Sequence, residues 1–547
     1  MKRDSAFGVL RRSAAGRIFD IGTMFEEAAG RHPATEVRLD RPLTAVASDR
    51  TRLTYAELAE IVDDLAARFR EAGVRPGQYV AVHVDNGFDI PLLGCALARA
   101  RAVPVMLAPA LAPEIVRALV ARLNDPWIVT NAARLALIAK DGGLPGVRAV
   151  LIDQAMGEAE GKAEGEVVEL RGLAGAPRVR PGAPVPDAPA LITHSSGTTG
   201  VPKLMVHTSR TLFHRLFPQR LMAWPVRRTE PILLAMSFVH SRFFNSLGVF
   251  LGFGNPLSVL SDMGLDTVRR AMVEFRPTVA ETHPNNFVLW EELADEPDAP
   301  LASVKYYSAT FDAIHPGTVK RLLAASRHRR PMLVQLYGQS ETGPLSGWVS
   351  TKKNVERVDG RCIGYSLPGF IQIRVVDNEG RPVPRGTIGR LQVKSRARIL
   401  TYLGEDERFR GQTAGRSGRW WYVTDMGWRD RAGRVFLADR EVDRIGEIDS
   451  NLSLEDTLLD RLPEISEVVV VPDGTGLPTV VVATRGDRPL DAGRWEKAVA
   501  DLPDLGAPVQ WRFDDFPRTS TWKIRRLEMR ELLNAGTGPA PISAPEQ

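Results

Sequence analysis

The sequence predicts an α/β fold, and three observations lead to this prediction. Helical and strand patterns alternate between residues 54 and 108, which favours a mainly parallel sheet. After Phe370 the pattern changes to short β-rich runs separated by turns. The last hundred residues or so return to a mixed helix and strand pattern. A chain of 547 residues is long enough for about three or four folding units.

The first elements are predicted from apolar spacing and capping residues. Ile21, Met24, Phe25 and Ala28 follow the i, i+3, i+4, i+7 spacing of a helix with one buried face. A second helix is predicted between Thr54, which forms a capping-box pattern with Glu57, and Gly73, which is typical of a helix C-terminus. Strands at 79–84 and 103–108 are predicted on either side of a helix at 89–100.

Later elements follow the same reasoning. The Gly-, Ala-, Pro- and Glu-rich segment 157–190 is predicted to be a surface connection that leads into the apolar run 191–193. A strand is predicted at 232–235, and a small β unit at 371–376 and 391–393. Near the C-terminus we expect a helix at 454–462, strands at 468–471 and 479–483, and a disordered tail from Asn534.

Composition and charge exclude several classes of protein. The net charge of +5 comes from 71 basic and 66 acidic residues that are scattered along the chain, so no nucleic-acid partner is expected. Cys95 and Cys362 are too few for a disulfide framework and form no CxxC pair. No export signal and no membrane span are predicted, because charged residues interrupt each apolar stretch. A cytoplasmic location is therefore expected.

The strongest local signal is the nine-residue segment Ser195-Ser196-Gly197-Thr198-Thr199-Gly200-Val201-Pro202-Lys203. Glycines let a backbone fold tightly around a polyanion, hydroxyl and N–H groups donate hydrogen bonds to it, and a lysine adds charge. The spacing and the missing helix signal exclude a Walker A loop. The alternative interpretation is a flexible loop without chemical importance, which a shorter match would favour.

This segment resembles the phosphate-binding signature of the adenylate-forming superfamily, which includes acyl-CoA synthetases, luciferases and adenylation domains. Further segments resemble the superfamily's other motifs in the expected order from Gly22 to Leu533. They are Leu336-Tyr337-Gly338-Gln339-Ser340-Glu341, Trp420-Trp421-Tyr422-Val423-Thr424-Asp425, Asp439-Arg440, and Pro517-Arg518-Thr519-Ser520-Thr521-Trp522-Lys523-Ile524-Arg525. Val423-Thr424 stands where Thr-Gly is usual, and Trp522 where glycine is usual.

The resemblance implies a large N-terminal domain with several subdomains and parallel sheets, at 1–438. It implies a hinge at 439–442, a small mobile α+β C-terminal domain at 443–533, and a tail at 534–547. It also implies an enzyme that uses ATP and Mg²⁺ to convert a carboxylic acid into an acyl-adenylate, with release of pyrophosphate. A second nucleophile then takes the acyl group.

The resemblance also implies roles for individual residues. Catalytic roles fall to Lys523, Glu341, Ser340 and Lys203, with Glu341 as the Mg²⁺ ligand and Lys523 on the carboxylate and α-phosphate oxygens. Nucleotide binding falls to Ser195, Ser196, Gly197, Thr198, Thr199, Gly200, Lys203, Thr310, Phe311, Asp312, Tyr337, Gly338, Gln339, Ser340, Asp425, Arg440 and Lys523. The alternative for Asp425 and Arg440, each taken alone, is a turn aspartate and a surface arginine.

For the acid substrate, family position points to Phe238, Val239, His240, Ala309 and Gly338. His240 could orient a carboxylate, although a partly buried histidine whose hydrogen bonds are satisfied within the protein is an alternative. The aromatic residues near these positions in sequence favour an aromatic or planar acid over a long alkyl chain.

The predicted acceptor is an amine. In members of the superfamily that use coenzyme A (CoA), a lysine and a glycine follow the hinge, whereas here Gly446 and Asp449 stand at those positions. This divergence resembles stand-alone amide synthetases of the aminocoumarin type, in which an amine attacks the adenylate. The alternatives are an acyl-CoA synthetase, a carrier-protein loader acting in trans, and a non-catalytic ligand-binding or scaffold protein on the same fold.

Overall fold

The computed structural model describes residues 17–140, 143–153, 167–178, 180–195, 201–310, 314–357, 359–415, 418–440, 450–472, 476–519 and 524–539. The α-helices, numbered in chain order, are α1 (Met24–Ala29), α2 (Tyr55–Glu71), α3 (Asp89–Arg99), α4 (Pro113–Val120), α5 (Ala132–Ala139), α6 (Ser209–Met222), α7 (Ser241–Phe253), α8 (Leu265–Phe275), α9 (Pro284–Trp290), α10 (Pro316–Ala325), α11 (Asp406–Gly411), α12 (Asn451–Arg461), α13 (Ala492–Val499) and α14 (Arg526–Ala535).

The strands fall into three sheets and are numbered in the same way. They are β1 (Glu36–Leu39), β2 (Arg52–Thr54), β3 (Tyr79–His83), β4 (Val103–Met106), β5 (Trp127–Thr130), β6 (Arg148–Leu151), β7 (Val167–Glu169), β8 (Pro189–His194), β9 (Leu204–Thr208), β10 (Ile232–Ala235), β11 (Leu257–Val259), β12 (Val279–Thr282), β13 (Tyr306–Thr310), β14 (Met332–Gln339), β15 (Gly343–Thr351), β16 (Cys362–Ser366), β17 (Ile371–Val376), β18 (Gly389–Ser395), β19 (Thr401–Tyr402), β20 (Thr413–Ala414), β21 (Trp420–Arg429), β22 (Val435–Arg440), β23 (Ile465–Val471), β24 (Thr479–Thr484) and β25 (Val509–Gln510).

One sheet carries the polar loop singled out in the sequence. Its strand order is β19-β9-β8-β4-β3-β5-β6-β7, and strands β4 through β7 pair in parallel. The antiparallel pair β8 and β9 brings the two ends of the loop together, with His194 opposite Leu204. A strand rather than a helix follows the loop, as expected for a site that is not a Walker A loop.

The largest sheet has the order β17-β18-β21-β22-β16-β15-β14-β13-β12-β10-β11-β1-β2. Along this order, the neighbouring strands from β14 to β1 pair in parallel, and β2 pairs antiparallel with β1. On the other side of β14, the strands β15, β16, β22, β21, β18 and β17 pair in antiparallel fashion. The β unit predicted after Phe370 is therefore present. It continues the central sheet through β16 and β22 instead of standing apart.

A three-stranded sheet, β23-β24-β25, forms the core of a smaller C-terminal unit together with α12, α13 and α14. The two sizes of unit and the mixed topology agree with the predicted α/β fold with a large N-terminal and a small C-terminal domain. The predicted hinge at 439–442 begins on β22, and its last two residues lie outside the described part of the chain.

Most predicted elements differ from the observed ones by a few residues at their ends. Helix α2 has the predicted cap, in which the Thr54 side chain and the Glu57 side chain each bond the other's backbone N–H. The tail is different, because α14 continues through Asn534 to Ala535. Gly538 then packs against the ring of Trp511, and residues 540–547 lie outside the described part of the chain.

Candidate active site

The phosphate loop is closed at its base by two hydrogen bonds. The Ser195 N–H donates to the Lys203 carbonyl at 2.9 Å, and the Lys203 N–H donates to Ser195 Oγ at 3.0 Å. The loop therefore leaves β8 and returns to β9 at one point. The predicted phosphate ligands Ser196, Gly197, Thr198, Thr199 and Gly200 lie outside the described residues.

Lys203 lies beside the carboxylate predicted to bind the metal. Its Nζ is 3.9 Å from Glu341 Oε1 and 4.9 Å from the centre of the Tyr402 ring. The Tyr402 hydroxyl donates to the same Glu341 oxygen at 2.7 Å. Burial lowers the pKa of Lys203, and the nearby Glu341 partly counters this effect. The structure thus brings the predicted phosphate lysine and the predicted metal ligand together.

The two nucleotide motifs are joined by side-chain hydrogen bonds. The Tyr337 hydroxyl donates to Asp425, and the Gln339 amide donates to the Val423 carbonyl. Gly338, between these two donors, stands at a β-bulge where an added Cβ would lie 2.3 Å from the Gly343 carbonyl oxygen. Only glycine fits there without a backbone shift.

Asp425 and Arg440 are brought together by strand pairing. They are register partners on the antiparallel strands β21 and β22. The structure describes the Arg440 backbone but not its side chain. The predicted ribose ligands are thus neighbours although 15 positions separate them in the sequence.

Thr424 has a φ of +62°, in the left-handed region that side chains other than glycine rarely adopt. It occupies the position where the resemblance expects glycine, so the backbone keeps the conformation of a glycine motif. The side chain is exposed, and its hydroxyl donates to its neighbour's carbonyl, Val423 O, at 2.6 Å.

Replacing Thr424 with glycine is expected to stabilise the protein by roughly 0.5–1 kcal/mol, because relief of the left-handed strain exceeds the entropy cost of glycine. Thermal melting of Thr424→Gly beside the wild type measures the change. Thr424→Ala is the matched control, since alanine removes the same hydroxyl and keeps the strain. An equal rise in both melting temperatures would contradict the strain interpretation.

His240 contacts the residue predicted to bind the α-phosphate. It precedes α7, and its Nδ1 accepts the Arg242 N–H at 3.1 Å. The neutral ring therefore carries its proton on Nε2, which donates to Ser340 Oγ at 2.8 Å. The hydrogen bonds of His240 are thus satisfied within the protein, which was one of the two alternatives. One of its partners, Ser340, belongs to the candidate site. Ser340 keeps its own hydroxyl proton to donate to an anion.

The remaining predicted acid-binding side chains belong to the protein core. Phe238, Val239 and Ala309 are all buried, and the Phe238 ring meets Phe243 edge to face at 4.8 Å between ring centres. Thr310 is buried as well, and its hydroxyl has no hydrogen-bond partner among the described residues. Phe311 and Asp312, predicted with Thr310 to bind the nucleotide, lie outside the described residues.

A cavity of about 640 Å³ lies between the two units. Tyr337 and Asp425 line it from the large unit, and Ile524 and Arg526 from the small one. Lys523, the predicted catalytic lysine, lies outside the described residues, as do Val442 of the predicted hinge and the positions Gly446 and Asp449 that follow it. The residue that follows Lys523 nevertheless faces the same cavity as the nucleotide motifs.

Carboxylates also line this cavity. Asp439 accepts the Asn451 N–H at 3.1 Å, and burial raises its pKa to about 6. Glu455 receives both terminal nitrogens of Arg526 and the Val470 N–H, so it is held by the C-terminal unit. Burial and the neighbouring Glu455 and Asp359 raise the pKa of Asp456 to about 7.

Asp456→Asn is expected to stabilise the protein at pH 8 by on the order of 2 kcal/mol and to leave it unchanged near pH 4. The folded pKa lies above the unfolded one, so the wild type loses stability as pH rises from about 4 to about 7. Melting temperatures across this range measure the difference. Asp514→Asn, at an exposed position of the same unit, is the control and should show no such trend.

Two residues of the site have no counterpart among the predictions. Tyr402 contacts both Lys203 and Glu341, and Arg215 donates to the Ser340 carbonyl at 2.7 Å. Tyr402 stands on a two-residue strand and Arg215 within a helix, so no local pattern identifies either of them. Both reach the site through pairing between distant segments.

These features define a nucleotide-dependent, adenylate-forming type of site, and comparisons with known proteins agree. Residues 25–403 match the family described as AMP-binding enzyme. A protein of Streptomyces cremeus named 3-amino-2-hydroxy-4-methoxybenzoate diazotase is 47% identical over 541 residues, which cover 96% of this chain and 97% of that protein. The 4-chlorobenzoate–CoA ligase of an Arthrobacter species is 26% identical, covering 90% of this chain and 92% of the ligase.

The crystal structure of an anthranilate CoA ligase in complex with anthranoyl-AMP superposes with a TM-score of 0.79 at 17% identity, covering 96% of this chain and 99% of that one. The chain belongs to the AMP-binding enzyme family and is an adenylate-forming, ATP-binding ligase. In the described part of the chain, no helix is both long and apolar enough to cross a membrane.

Proposed function

We propose that this enzyme diazotises an aromatic amine that carries a carboxylate, using ATP and nitrite. The observation that carries the proposal is the 47% identity, over 96% of this chain, to the diazotase of Streptomyces cremeus. That protein is named for an aminobenzoate substrate. The CoA ligase compared above is far less similar, at 26% identity. The proposal keeps the predicted amine as the second nucleophile. It changes the anion that receives AMP from a carboxylate to nitrite.

The chemistry fits an adenylate-forming enzyme. A nitrite oxygen attacks the α-phosphorus of ATP, pyrophosphate leaves, and a mixed anhydride of AMP and nitrous acid forms. The amine nitrogen then attacks the nitrosyl nitrogen, and AMP leaves with the electron pair of the broken N–O bond. Loss of a proton gives the nitrosamine, which tautomerises and loses water after protonation to give the diazonium group. No oxidant or reductant is needed.

The residues of the site have matching roles in this proposal. Lys203 and the loop at 195–200 hold the β- and γ-phosphates, and the Ser340 hydroxyl, oriented by His240, donates to the α-phosphate. Asp425 and Arg440 hold the ribose, and Lys523 approaches the attacking oxygen. The ring and carboxylate of the aromatic amine lie against Phe238, Val239 and Ala309.

Glu341 suits Mg²⁺, although no cluster of three metal-binding side chains occurs in the described residues. Magnesium in nucleotide enzymes is commonly held by one or two carboxylates together with the phosphates of the substrate. Glu341 is such a carboxylate, 3.9 Å from the lysine predicted to hold those phosphates. A bound Mg²⁺ there would offset phosphate charge.

The second candidate function is amide formation, in which the aromatic carboxylate receives AMP and an amine takes the acyl group. The aromatic rings of Phe238 and Phe243, close to His240 in the chain, favour it, because His240 contacts Ser340 and an aryl carboxylate bound beside these rings would lie near the predicted α-phosphate ligand. CoA remains a third acceptor.

Product analysis separates these functions. The protein is incubated with ATP, Mg²⁺, an amino-hydroxybenzoate and isotopically labelled nitrite, and the products are identified by mass spectrometry. Diazotisation predicts a product that contains the labelled nitrogen, together with AMP and pyrophosphate. Omitting ATP should reduce the labelled product to the amount that the slow background reaction forms. An amide or thioester formed without nitrite, when a second amine or CoA is supplied, would contradict the proposal.

A further inference from the structure

Arg215 is a buried arginine whose three bonded acceptors are all uncharged. It lies on α6, and 2% of its surface is exposed. Its Nε donates to the Ala397 carbonyl at 3.0 Å, Nη1 to Ser241 Oγ at 2.8 Å, and Nη2 to the Ser340 carbonyl at 2.7 Å. One guanidinium thus connects three segments of the chain.

Each of these segments carries part of the candidate site. Ser340 is the predicted α-phosphate ligand, and Ser241 follows His240, which donates to the Ser340 hydroxyl. Ala397 belongs to the loop in which the Ile399 N–H donates to the Glu341 carbonyl at 2.8 Å. Arg215 therefore sets the relative positions of the serine, the histidine and the predicted metal ligand.

The charge of Arg215 has no ion-pair partner within 4 Å among the described residues. Burying an unpaired cation is costly, and proteins normally place a carboxylate beside it. Burial lowers the pKa of Arg215 to about 9, with a partly opposing attraction from Glu341, so the side chain stays charged at neutral pH. Because it bonds the backbone of the predicted α-phosphate ligand, this buried cation favours an anion bound at that serine.

Arg215 carries a positive charge near Ser340, whereas its neighbour His207 does not. His207 on β9 is fully buried, and burial followed by the charge of Arg215 lowers its pKa well below the usual range, so it is neutral. Gly343 has a φ of +71°, and a Cβ there would lie 2.9 Å from Arg215 Cγ. The turn after Ser340 is thus packed directly on the arginine stem.

We propose that Arg215 is a positioning residue for adenylate formation, which orients Ser340 and His240 and whose buried charge stabilises negative charge developing at the α-phosphate. The inference rests only on the adenylation half-reaction, which nitrite activation and carboxylate activation share. A fixed charge in a water-poor site acts strongly on a transition state, because it needs no reorganisation as the reaction proceeds.

The test compares Arg215→Met with Arg215→Lys in ATP–pyrophosphate exchange, using whichever anion supports exchange by the wild type. We expect kcat to fall by about a hundredfold in Arg215→Met and by about tenfold or less in Arg215→Lys, with the KM for ATP changed less than threefold in both. Arg210→Met is the matched control. Arg210 lies on the same helix as Arg215, and its replacement removes a surface ion pair with Asp187.

Equal losses in the lysine and methionine variants would overturn the proposal, since a purely structural arginine gains nothing from a retained charge. So would a folded Arg215→Met with near-normal kcat. If Arg215→Met does not fold, the lysine variant and Ser241→Ala, which removes one acceptor and keeps the charge, still decide. Ser241→Ala should lower kcat by about threefold. An unchanged kcat in Ser241→Ala, together with a hundredfold loss of kcat in Arg215→Lys, would reject the proposal. A failure of the nitrite proposal would instead be visible in the wild type.

Discussion

Lys523→Ala is expected to slow adenylate formation by about a thousandfold or more while leaving the protein folded. A lysine on a flexible stem can contact the attacking oxygen and an α-phosphate oxygen together, which offsets the repulsion between two anions in the transition state. Ile524 and Arg526, the described residues that follow it, line the cavity that Tyr337 and Asp425 share. ATP–pyrophosphate exchange measures the effect.

Lys497→Ala is the matched control, because Lys497 is exposed on α13 of the same C-terminal unit. It should retain wild-type exchange. A melting temperature like that of the wild type shows that Lys523→Ala is folded. Near-full exchange in a folded Lys523→Ala would remove this lysine from the mechanism.

Glu341→Gln is expected to lower the exchange rate by about a hundredfold to a thousandfold and to weaken the dependence of the rate on Mg²⁺ concentration. The amide keeps the size of the side chain and an acceptor for the Tyr402 hydroxyl but loses the charge that a hard cation needs. Titration of the rate with Mg²⁺ at saturating ATP measures both effects.

Tyr402→Phe separates metal binding from the hydrogen bond. It removes the donor to Glu341 and keeps both the carboxylate and an aromatic ring near Lys203. We expect a loss of about tenfold or less in this variant. If Tyr402→Phe were as impaired as Glu341→Gln, the role of Glu341 would be to hold Tyr402 and Lys203 rather than a metal ion.

Local signals were sufficient for much of the fold. The cap at Thr54 and Glu57 predicted the start of α2. An uninterrupted apolar run predicted β10, and a β-rich alternating run predicted β17, both at their observed ends. Such signals act within one turn or one strand, so the sequence carries them without knowledge of the partners. The continuation of α14 through Asn534 was missed, because its Gly- and Pro-rich surroundings dominate the local composition.

The site was predictable to the extent that it follows motifs. Lys203, Ser340, Glu341 and His240 converge as the motif order implied. Arg215 and Tyr402 were not predictable, because their roles depend on pairings across 125 and 61 positions of the chain, which no local pattern encodes. At Thr424 the sequence departs from the motif but the backbone does not. It keeps the left-handed conformation of a glycine, which threonine does not favour.

The most direct test is to ask which anion receives AMP. ATP–pyrophosphate exchange is measured with nitrite alone, with the amino-hydroxybenzoate alone, and with neither. Nitrite activation predicts exchange with nitrite in the absence of any aromatic compound, and none above background with the aromatic substrate alone. Exchange that requires the aromatic carboxylate and ignores nitrite would contradict the account and establish carboxylate activation in its place.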